Sequence, residues 1–352
     1  MPRLPQEDLD HVLTRTSGLW EQLRGQSLFL TGGTGFVGTW LLESLLWAND
    51  RLDLGMTAVV LTRNPQRFRD EAPHLADHPS VRLLGGNVVD CALPHGTFPY
   101  VIHAATERQF EPDAERPLGA FAADVEGTRR VLEFARTHGT RRLLFTSSGA
   151  VYGKQPSALT HIPEDYNGAP GTQDLGSEYG QAKRVSEFMC SMYGRVYGFD
   201  AMIARLFAFV GPLLPLDANY AVGNFIRDVL KGGPVRIAGD GTPYRSYLYA
   251  ADLAVWLWTI LLRGKAAFPY NVGSPHDLTI ADLARTVIGA VAPGTRMEIA
   301  RQAVPGVPPL RYVPGTTLAE QELGLRALVP VEQGIRRTVE WHRSRILQEA
   351  ER

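Results

Sequence analysis

Cysteine is almost missing from this chain of 352 residues, which contains only Cys91 and Cys190. Two cysteines without a Cys-x-x-Cys spacing argue against a disulfide framework and against a zinc-thiolate site, and they are typical of a reducing compartment. Net charge is also nearly absent, because the 36 basic residues are balanced by 37 acidic ones. Such a chain offers no broad field for nucleic acid or for an anionic membrane, so neither partner is predicted.

Long hydrophobic runs are missing as well. The longest, 253–262, is about half of what a membrane span needs, and it predicts a buried helix. The first residues lack the apolar segment of a signal peptide. We therefore expect a cytoplasmic protein without a membrane segment. No metal is predicted either, because His74 and His78 have ligand spacing but no evident third partner.

Glycine is plentiful, and one glycine-rich segment has a spacing that points to a function. Residues 31–38 read Thr-Gly-Gly-Thr-Gly-Phe-Val-Gly and lie between an apolar run and a segment of helical periodicity. Gly33, Gly35 and Gly38 have the spacing of dinucleotide-binding loops, in which one glycine forms a tight turn, the next admits a pyrophosphate and the third lets helix and strand pack closely. Without its flanks, this spacing is equally compatible with an ordinary turn.

Residues that follow four successive predicted strands are expected to contact the dinucleotide. They are Gly32, Gly33, Thr34, Gly35, Phe36, Val37 and Gly38, then Arg63, then Asn87 and Val88, then Ala104, Ala105 and Thr106. A carboxylate after the second strand would bind the ribose 2′-hydroxyl of NAD, whereas an arginine accommodates the 2′-phosphate of NADP. Arg63 stands there without a carboxylate, so the sequence favours NADP, with NAD as the alternative. A solvated surface role for Arg63 also stays open.

Three residues of the sequence indicate a catalytic site. A fifth predicted strand ends at Ser148, and Tyr179 and Lys183 follow on one face of a predicted helix. An ammonium beside the phenol favours the phenolate, which can take a proton from a sugar hydroxyl while the adjacent carbon gives a hydride to a nicotinamide. Ser148 would hold the same oxygen by a hydrogen bond. His103, at the end of the fourth strand, is predicted to be a packed, hydrogen-bonded residue rather than a catalyst.

Seven motifs in this order resemble the extended short-chain dehydrogenase/reductase family, in particular its nucleotide-sugar epimerase, dehydratase and reductase branch. They lie at 31–38, 103–105, 125–128, 146–153, 179–183, 239–246 and 270–273. The resemblance covers residues 25 to about 343. It implies an α/β fold, with a Rossmann-type doubly wound parallel sheet that binds NAD(P) and a smaller C-terminal α/β lobe that binds a nucleoside-diphosphate sugar. It also implies a triad at Ser148, Tyr179 and Lys183, in which Lys183 bonds the nicotinamide ribose.

The predicted domains follow from the helical periodicity of the first residues and from this resemblance. They are an N-terminal helical extension (1–24), an NAD(P)-binding domain (25–210 and 246–264) and a nucleotide-sugar-binding lobe (211–245 and 265–352). In the lobe, Asn224 and Arg245 resemble the family residues that contact the sugar diphosphate, and Arg311 is a second candidate arginine. A guanidinium suits this role because its planar fork meets phosphate oxygens in pairs. Structural roles for both arginines stay open.

Departures from the family pattern bear on the reaction. Members that remove water from a nucleotide glucose usually place Asp and Glu directly after the triad's hydroxyl residue, whereas this chain has Gly149 and Ala150. A glucose-type 4,6-dehydratase is therefore disfavoured. Asp124, Asn87 and Ala208 also differ from the usual residues and leave the identity of the substrate open.

We therefore expect an NADP(H)-dependent oxidoreductase acting at C4 of a nucleotide sugar, as a 4-ketoreductase or a 4-epimerase. The alternatives are a nucleotide-sugar dehydratase or decarboxylase of the same family, or a non-catalytic dinucleotide-binding regulatory protein. Because this family commonly pairs two helices into a four-helix bundle, we also predict a homodimer through 118–138 and 179–197.

Overall fold

A computed structural model of the chain describes residues 1–106 and 116–350. The strands in these residues are β1 (Ser27–Thr31), β2 (Thr57–Thr62), β3 (Val81–Gly85), β4 (Tyr100–His103), β5 (Arg142–Ser148), β6 (Asp200–Leu206), β7 (Phe209–Val210), β8 (Val235–Ile237), β9 (Tyr244–Ser246), β10 (Leu248–Tyr249), β11 (Pro269–Val272), β12 (Asp277–Thr279), β13 (Met297–Ile299) and β14 (Arg311–Tyr312). Seven of them form one parallel sheet in the order β11-β6-β5-β4-β1-β2-β3. This is the predicted doubly wound topology.

The helices of the described residues cover this sheet and build the C-terminal lobe. They are α1 (Gln6–Arg15), α2 (Phe36–Leu52), α3 (Pro65–Glu71), α4 (Pro73–Ala76), α5 (Arg116–Thr137), α6 (Glu178–Tyr197), α7 (Ala221–Leu230), α8 (Ala250–Arg263), α9 (Ile280–Val291), α10 (Thr317–Leu323) and α11 (Val331–Ala350). The predicted helix at 118–138 is α5, and the predicted buried helix at 253–262 is α8. Within the described part of the chain, no helix is both long enough and apolar enough to cross a membrane.

Side chains of the central sheet alternate between two hydrophobic cores. In β1, Leu28 and Leu30 belong to the larger core with α2 and α8, whereas Phe29 belongs to the core beneath α5 and α6. Alternation is the geometry of a strand, and burial of both faces explains why β1 reads as a continuous apolar run. The carboxyl ends of the strands then meet along one edge of the sheet.

The N-terminal extension contains α1 and a 3₁₀ helix at Trp20–Leu23, as the periodicity predicts. Buried Asp8 of α1 accepts a hydrogen bond from the Tyr249 hydroxyl and pairs with Arg337 of α11. Burial raises the pKa of Asp8 despite these partners. The extension is therefore bound to the last helix of the chain.

Small sheets and α7, α9 and α11 build the C-terminal part, where two boundaries differ from prediction. β11 pairs with β6 in the central sheet, although 269–272 lies within the range predicted for the lobe. Its pairing with β6 joins segments that are far apart along the chain, which the local pattern does not show. Asn224 lies in the second turn of α7, which begins at Ala221 rather than at Asn224. The rest of the domain division stays a prediction, and residues 107–115 and 351–352 of the predicted ranges lie outside the described ones.

Candidate functional site

The loop from β1 to α2 is shaped by two glycines. Gly32 has φ +71°, and a Cβ there would lie 2.5 Å from the backbone of Ala104. A Cβ on Gly38 would lie 2.1 Å from the Gly32 carbonyl oxygen, so the first turn of α2 packs directly on the loop. Gly35 is the N-cap of α2 and makes no side-chain cap hydrogen bond. The result is an uncapped helix N-terminus, which suits an anion.

The G-x-G-x-x-G spacing, which begins at Gly33, predicts the tight turn at that residue. In the structure the turn lies one residue earlier, at Gly32. Gly33 has no positive φ, and a Cβ on it would meet the side chains of Val60 and Leu30 at 2.5 and 2.9 Å. Gly33 therefore faces the interior between the loop and the sheet, and the sharp turn belongs to Gly32. The spacing alone does not distinguish two adjacent glycines.

A cavity of about 280 Å³ lies outside the carboxyl ends of β1, β2, β3 and β4. Eight of the residues predicted to contact the cofactor line it: Gly32, Thr34, Gly35, Arg63, Asn87, Val88, Ala105 and Thr106. It is also lined by six described residues that were not selected for this role: Leu61, Thr62, Gly86, His103, Ala123 and Asp124. The described lining does not include Gly33, Phe36, Val37, Gly38, Ala104, Tyr179 or Lys183. The cavity thus joins the ends of four strands, and binding of the cofactor there stays a prediction.

His103 supports the floor of this cavity. Its Nδ1 is 2.7 Å from the Thr31 hydroxyl and its Nε2 is 3.1 Å from the Thr128 hydroxyl of α5. Burial, with the nearby Lys183 ammonium, lowers the pKa of His103 to about 3. The imidazole is therefore neutral near pH ~7, and the prediction of a packed, hydrogen-bonded histidine is confirmed.

Asp124 is a cavity residue that sequence reasoning noted only as a departure from the family. It is buried in α5, and its carboxylate accepts a hydrogen bond from the Thr106 hydroxyl, with distances of 3.0 and 3.1 Å to the two oxygens. This contact fixes the loop after β4 against α5. The available signal was an acidic residue on the apolar side of a predicted helix.

The three predicted catalytic residues come together at the end of β5. Ser148 is the last residue of β5, and Lys183 of α6 is buried, with its Nζ donating to the Thr146 carbonyl oxygen at 3.2 Å. The same Nζ lies 5.6 Å from the ring centroid of Tyr179. A Cβ on Gly180 would lie 2.7 Å from the backbone oxygen of Ala150, so the first turn of α6 touches the turn that follows Ser148.

A buried ion pair behind these residues was missed. Glu187, one turn beyond Lys183, accepts a hydrogen bond from the Ser147 hydroxyl at 2.5 Å and from two nitrogens of Arg205, at 3.0 and 2.7 Å. Bidentate pairing of this kind is strong and directional. It fixes β5, β6 and α6 to one another beside Ser148. Its sequence signal was a carboxylate four residues after Lys183 on the buried face of the helix.

Besides Ser148, three predicted substrate residues lie in the C-terminal part. The Asn224 amide oxygen accepts a hydrogen bond from Arg227 at 3.2 Å. Arg245 of β9 donates to the Tyr244 carbonyl oxygen at 2.8 Å. Arg311 of β14, the neighbouring strand, forms a salt bridge of 2.7 Å with Asp277. Arg311 therefore has the structural role left open above, and the substrate roles of all three predicted residues stay predictions.

Comparison with known proteins gives a consistent family and fold. The NAD dependent epimerase/dehydratase family matches residues 28–273. UDP-glucuronic acid decarboxylase 1 of Arabidopsis thaliana is 29% identical over 325 residues, which are 92% of this chain and 71% of that protein. The structure of UDP-glucose 4-epimerase from Thermotoga maritima with UDP-glucose has a TM-score of 0.75 at 20% identity and covers 91% of this chain and 100% of that one.

A second solved structure agrees with the first. The dTDP-glucose 4,6-dehydratase of Bacillus anthracis, in complex with NAD, has a TM-score of 0.74 at 18% identity and covers 91% of this chain and 97% of that one. At these identities the solved structures bear on the fold alone. They confirm the predicted Rossmann-type α/β architecture.

Proposed function

This chain belongs to the NAD dependent epimerase/dehydratase family, and on that basis we propose that it is an NADP(H)-dependent oxidoreductase acting at C4 of a nucleoside-diphosphate sugar, as a 4-ketoreductase or a 4-epimerase. The observation that carries the proposal is the grouping of Ser148, Tyr179 and Lys183 at the sheet edge that also holds the glycine-rich loop. A non-catalytic dinucleotide-binding protein would not require this grouping.

The residues along the sheet edge fit a dinucleotide. The loop at 32–38 offers backbone where any side chain on Gly32 or Gly38 would clash, and the N-terminus of α2 carries no side-chain cap. These features suit a pyrophosphate. Arg63 and Asn87, which line the cavity at the ends of β2 and β3, would hold the adenosine. Lys183, further along the edge, would hold the nicotinamide ribose.

The preference for NADP is proposed from the end of β2. The chain continues there as Thr62, Arg63 and Asn64, with no carboxylate for a ribose 2′-hydroxyl, and Arg63 lines the cavity. A guanidinium can pair with a 2′-phosphate through two hydrogen bonds. NAD, which the family description names, is the alternative.

The geometry of the three catalytic residues suits proton transfer at one sugar oxygen. When bound, the nicotinamide supplies hydride exchange at C4. Tyr179 takes the proton of the C4 hydroxyl during oxidation and returns it to the carbonyl oxygen during reduction. The buried Lys183 ammonium, 5.6 Å from the centroid of the Tyr179 ring, would stabilise the negative charge that develops on the phenol oxygen when Tyr179 gives up its proton. Ser148 donates a hydrogen bond to the same sugar oxygen.

A decarboxylase of the same family is a second candidate, favoured by the curated relative described above. A uronic acid oxidised at C4 is a β-keto acid. Its C5–C6 bond breaks with release of CO₂, the electron pair moves to the C4 carbonyl oxygen, and C5 is then protonated. Loss of CO₂ needs no base to remove a proton from carbon, and water can supply the proton to C5, so the step does not require an acidic pair after Ser148, where the chain has Gly149 and Ala150. Removal of water requires such a pair, so a dehydratase stays disfavoured.

We also propose a homodimer through α5 and α6. Both helices carry exposed apolar side chains: Leu118 and Phe121 on α5, and Val185, Phe188, Met192 and Val196 on α6. On α6 they recur every three or four residues and so form one stripe. Phe188 is 65% exposed and Val196 is 70% exposed. A twofold axis would place this stripe against itself and bury it.

A cytoplasmic location also stays a proposal. Cys91 and Cys190 are free, buried thiols, and burial raises the pKa of both. They therefore behave as small apolar side chains, which fits a reducing compartment.

A binding and turnover screen tests the proposed function. UDP-glucose, UDP-glucuronic acid, dTDP-glucose and GDP-mannose are each combined with NADP or NAD, and the melting temperature is measured, because a ligand of the folded state raises it. Sugars that bind are then assayed. With these C4-hydroxyl sugars, a reductase run in reverse forms one 4-keto sugar and one reduced cofactor per turnover, an epimerase inverts C4 without net change in cofactor, and a decarboxylase releases CO₂. Failure of every sugar and both cofactors to raise the melting temperature would contradict the proposal.

A further inference from the structure

We propose that Arg130 of α5 positions the turn against which the adenosine end of the cofactor lies. This inference rests on the proposed function and adds to it a residue that acts through the protein backbone. The turn consists of residues 86–91, the segment that follows β3, and is called the 86–91 turn. Arg130 is not among the described residues that line the cavity, so it is a positioning residue and not a ligand of the cofactor.

This turn lies at the cavity and closes tightly on itself. Gly86, Asn87 and Val88 line the cavity. The Cys91 N–H donates to the Asn87 carbonyl oxygen at 2.8 Å. Gly86 has φ +148°, and a Cβ there would overlap the Cys91 side chain. Because the turn is closed in this way, its placement as a whole sets where Asn87 and Val88 meet the cavity.

Two nitrogens of the Arg130 guanidinium hold the turn. Nη1 donates to the Val88 carbonyl oxygen at 2.8 Å, and Nη2 donates to the Cys91 carbonyl oxygen at 2.7 Å. A guanidinium presents its N–H groups in a rigid planar fork, so one side chain can meet two acceptors at a fixed separation. A lysine would keep the charge but would offer a single nitrogen. The two bonds therefore fix the turn to α5 in a geometry that requires arginine.

Other residues of α5 support the same placement. A Cβ on Gly127 would lie 2.8 Å from the Val88 side chain, so the helix and the turn pack directly on each other. Ala123 and Asp124, one helical turn earlier, line the cavity themselves. Thus α5 contributes to the cavity with its own side chains and, through Arg130, with the 86–91 turn.

The neighbouring arginine has the same charge but different partners. Arg129 is exposed and pairs with Glu126 on the same helix at 2.8 Å. A surface ion pair of this kind contributes little to stability. Arg130 is half-buried, and its bonds go to the backbone of the turn. The two arginines therefore allow the effect of a positive charge on α5 to be separated from the effect of holding the turn.

The test compares affinity for the whole cofactor with affinity for its adenosine half. Wild type, Arg130→Met, Arg130→Lys and the matched control Arg129→Met are titrated with NADP and with adenosine 2′,5′-bisphosphate, and likewise with NAD and ADP. The cofactor that wild type binds is the one compared. The melting temperature without ligand shows whether each variant is folded.

We expect Arg130→Met to bind the cofactor about tenfold more weakly and to lose the same factor for the adenosine half, because a displaced turn weakens contacts that depend on position. Arg130→Lys should bind both at least about threefold more weakly, since one nitrogen cannot hold two carbonyl oxygens. Arg129→Met should stay within about twofold of wild type, because it removes only a surface ion pair. If Arg130→Met does not fold, Arg130→Lys decides the question.

Four results would overturn the inference and leave the proposed function intact. The first is wild-type affinity in both Arg130 variants. The second is wild-type affinity in Arg130→Lys alone, because charge would then explain the loss, and the third is an equal loss in Arg129→Met. The fourth is weaker binding of the cofactor without weaker binding of its adenosine half. If wild type binds neither NADP nor NAD, the proposed function fails and the inference fails with it.

Discussion

Lys183 and Thr146 are joined by a hydrogen bond of 3.2 Å from the side-chain ammonium to the backbone carbonyl oxygen. Thr146 lies two residues before Ser148 in β5, and Lys183 lies four residues after Tyr179 in α6. One bond therefore fixes the distance between the strand that carries the serine and the helix that carries the tyrosine. The same ammonium lies 5.6 Å from the centroid of the Tyr179 ring, so Lys183 contacts both parts of the proposed catalytic site.

Lys183→Met is expected to lower kcat/KM by about a hundredfold or more, because it removes the charge that stabilises the phenolate and keeps the length of the side chain. The melting temperature should change little, since the variant also removes the cost of a buried charge. Lys231→Met, at an exposed position after α7, is the control and should retain activity. Unchanged turnover in Lys183→Met would contradict the assigned role.

Arg63→Ala is expected to lower the preference for NADP. If the guanidinium holds the 2′-phosphate, its loss should reduce kcat/KM for NADP about 10- to 100-fold, the range of a hydrogen bond to a charged group, with little change for NAD. Arg67→Ala is the control, because Arg67 lies on α3 and pairs with Glu71. Equal effects of Arg63→Ala on both cofactors would show that Arg63 does not read the phosphate.

Local motifs made much of the site predictable, whereas contacts between distant segments did not. The glycine-rich loop, Ser148 and the Tyr179–Lys183 spacing are recognisable because their chemistry requires those residues at fixed separations. The Glu187–Arg205 pair and the contact of Tyr312 with Gly149 join segments that only the folded sheet brings together. Nothing in the local pattern of either segment indicates its partner.

The fold was predictable for a related reason. Strands of the central sheet read as apolar runs because both faces are buried, and Tyr100–His103 begins and ends where the pattern predicts. β11 is largely buried as well, but its place beside β6 depends on a pairing between segments that are far apart along the chain. The position of the tight turn at Gly32 depends on the approach of Ala104, which belongs to another strand.

The lowered pKa of His103 leads us to expect that the folded protein loses stability in acid. Its pKa is lowered from 6.5 to about 3 in the folded state, so below pH 6.5 the unfolded chain binds a proton that the folded chain does not. The free energy of unfolding should therefore fall by up to about 1.4 kcal/mol per pH unit from pH 6.5 towards pH 3, and this group should contribute no pH dependence above about pH 7.5.

His103→Asn removes this pH dependence and serves as the comparison. Urea unfolding at about pH 7.5 and about pH 5.5 should show wild type losing about 1.4 kcal/mol more than the variant. His342, whose pKa burial lowers to about 4, is present in both proteins and cancels from the difference. Parallel losses in the two proteins would show that His103 titrates normally in the folded state.

The stripe on α6 predicts the oligomeric state. Light scattering at micromolar concentration should give twice the chain mass of 38.8 kDa for wild type. A variant with both Phe188→Glu and Val196→Glu should give the monomer mass, because two carboxylates would be buried against their own copies. Phe268→Glu, at an exposed apolar residue that belongs to neither α5 nor α6, should remain a dimer. A monomeric wild type would contradict the proposed pairing.

The central claim is that Tyr179 exchanges the proton of the sugar oxygen, and the turnover of Tyr179→Phe tests it most directly. Tyr197→Phe, on the same helix and half exposed, is the control. With a sugar that wild type converts, we expect kcat of Tyr179→Phe to fall about 10²- to 10⁴-fold while NADP still raises its melting temperature as in wild type. Turnover of Tyr179→Phe at the wild-type rate would contradict the account.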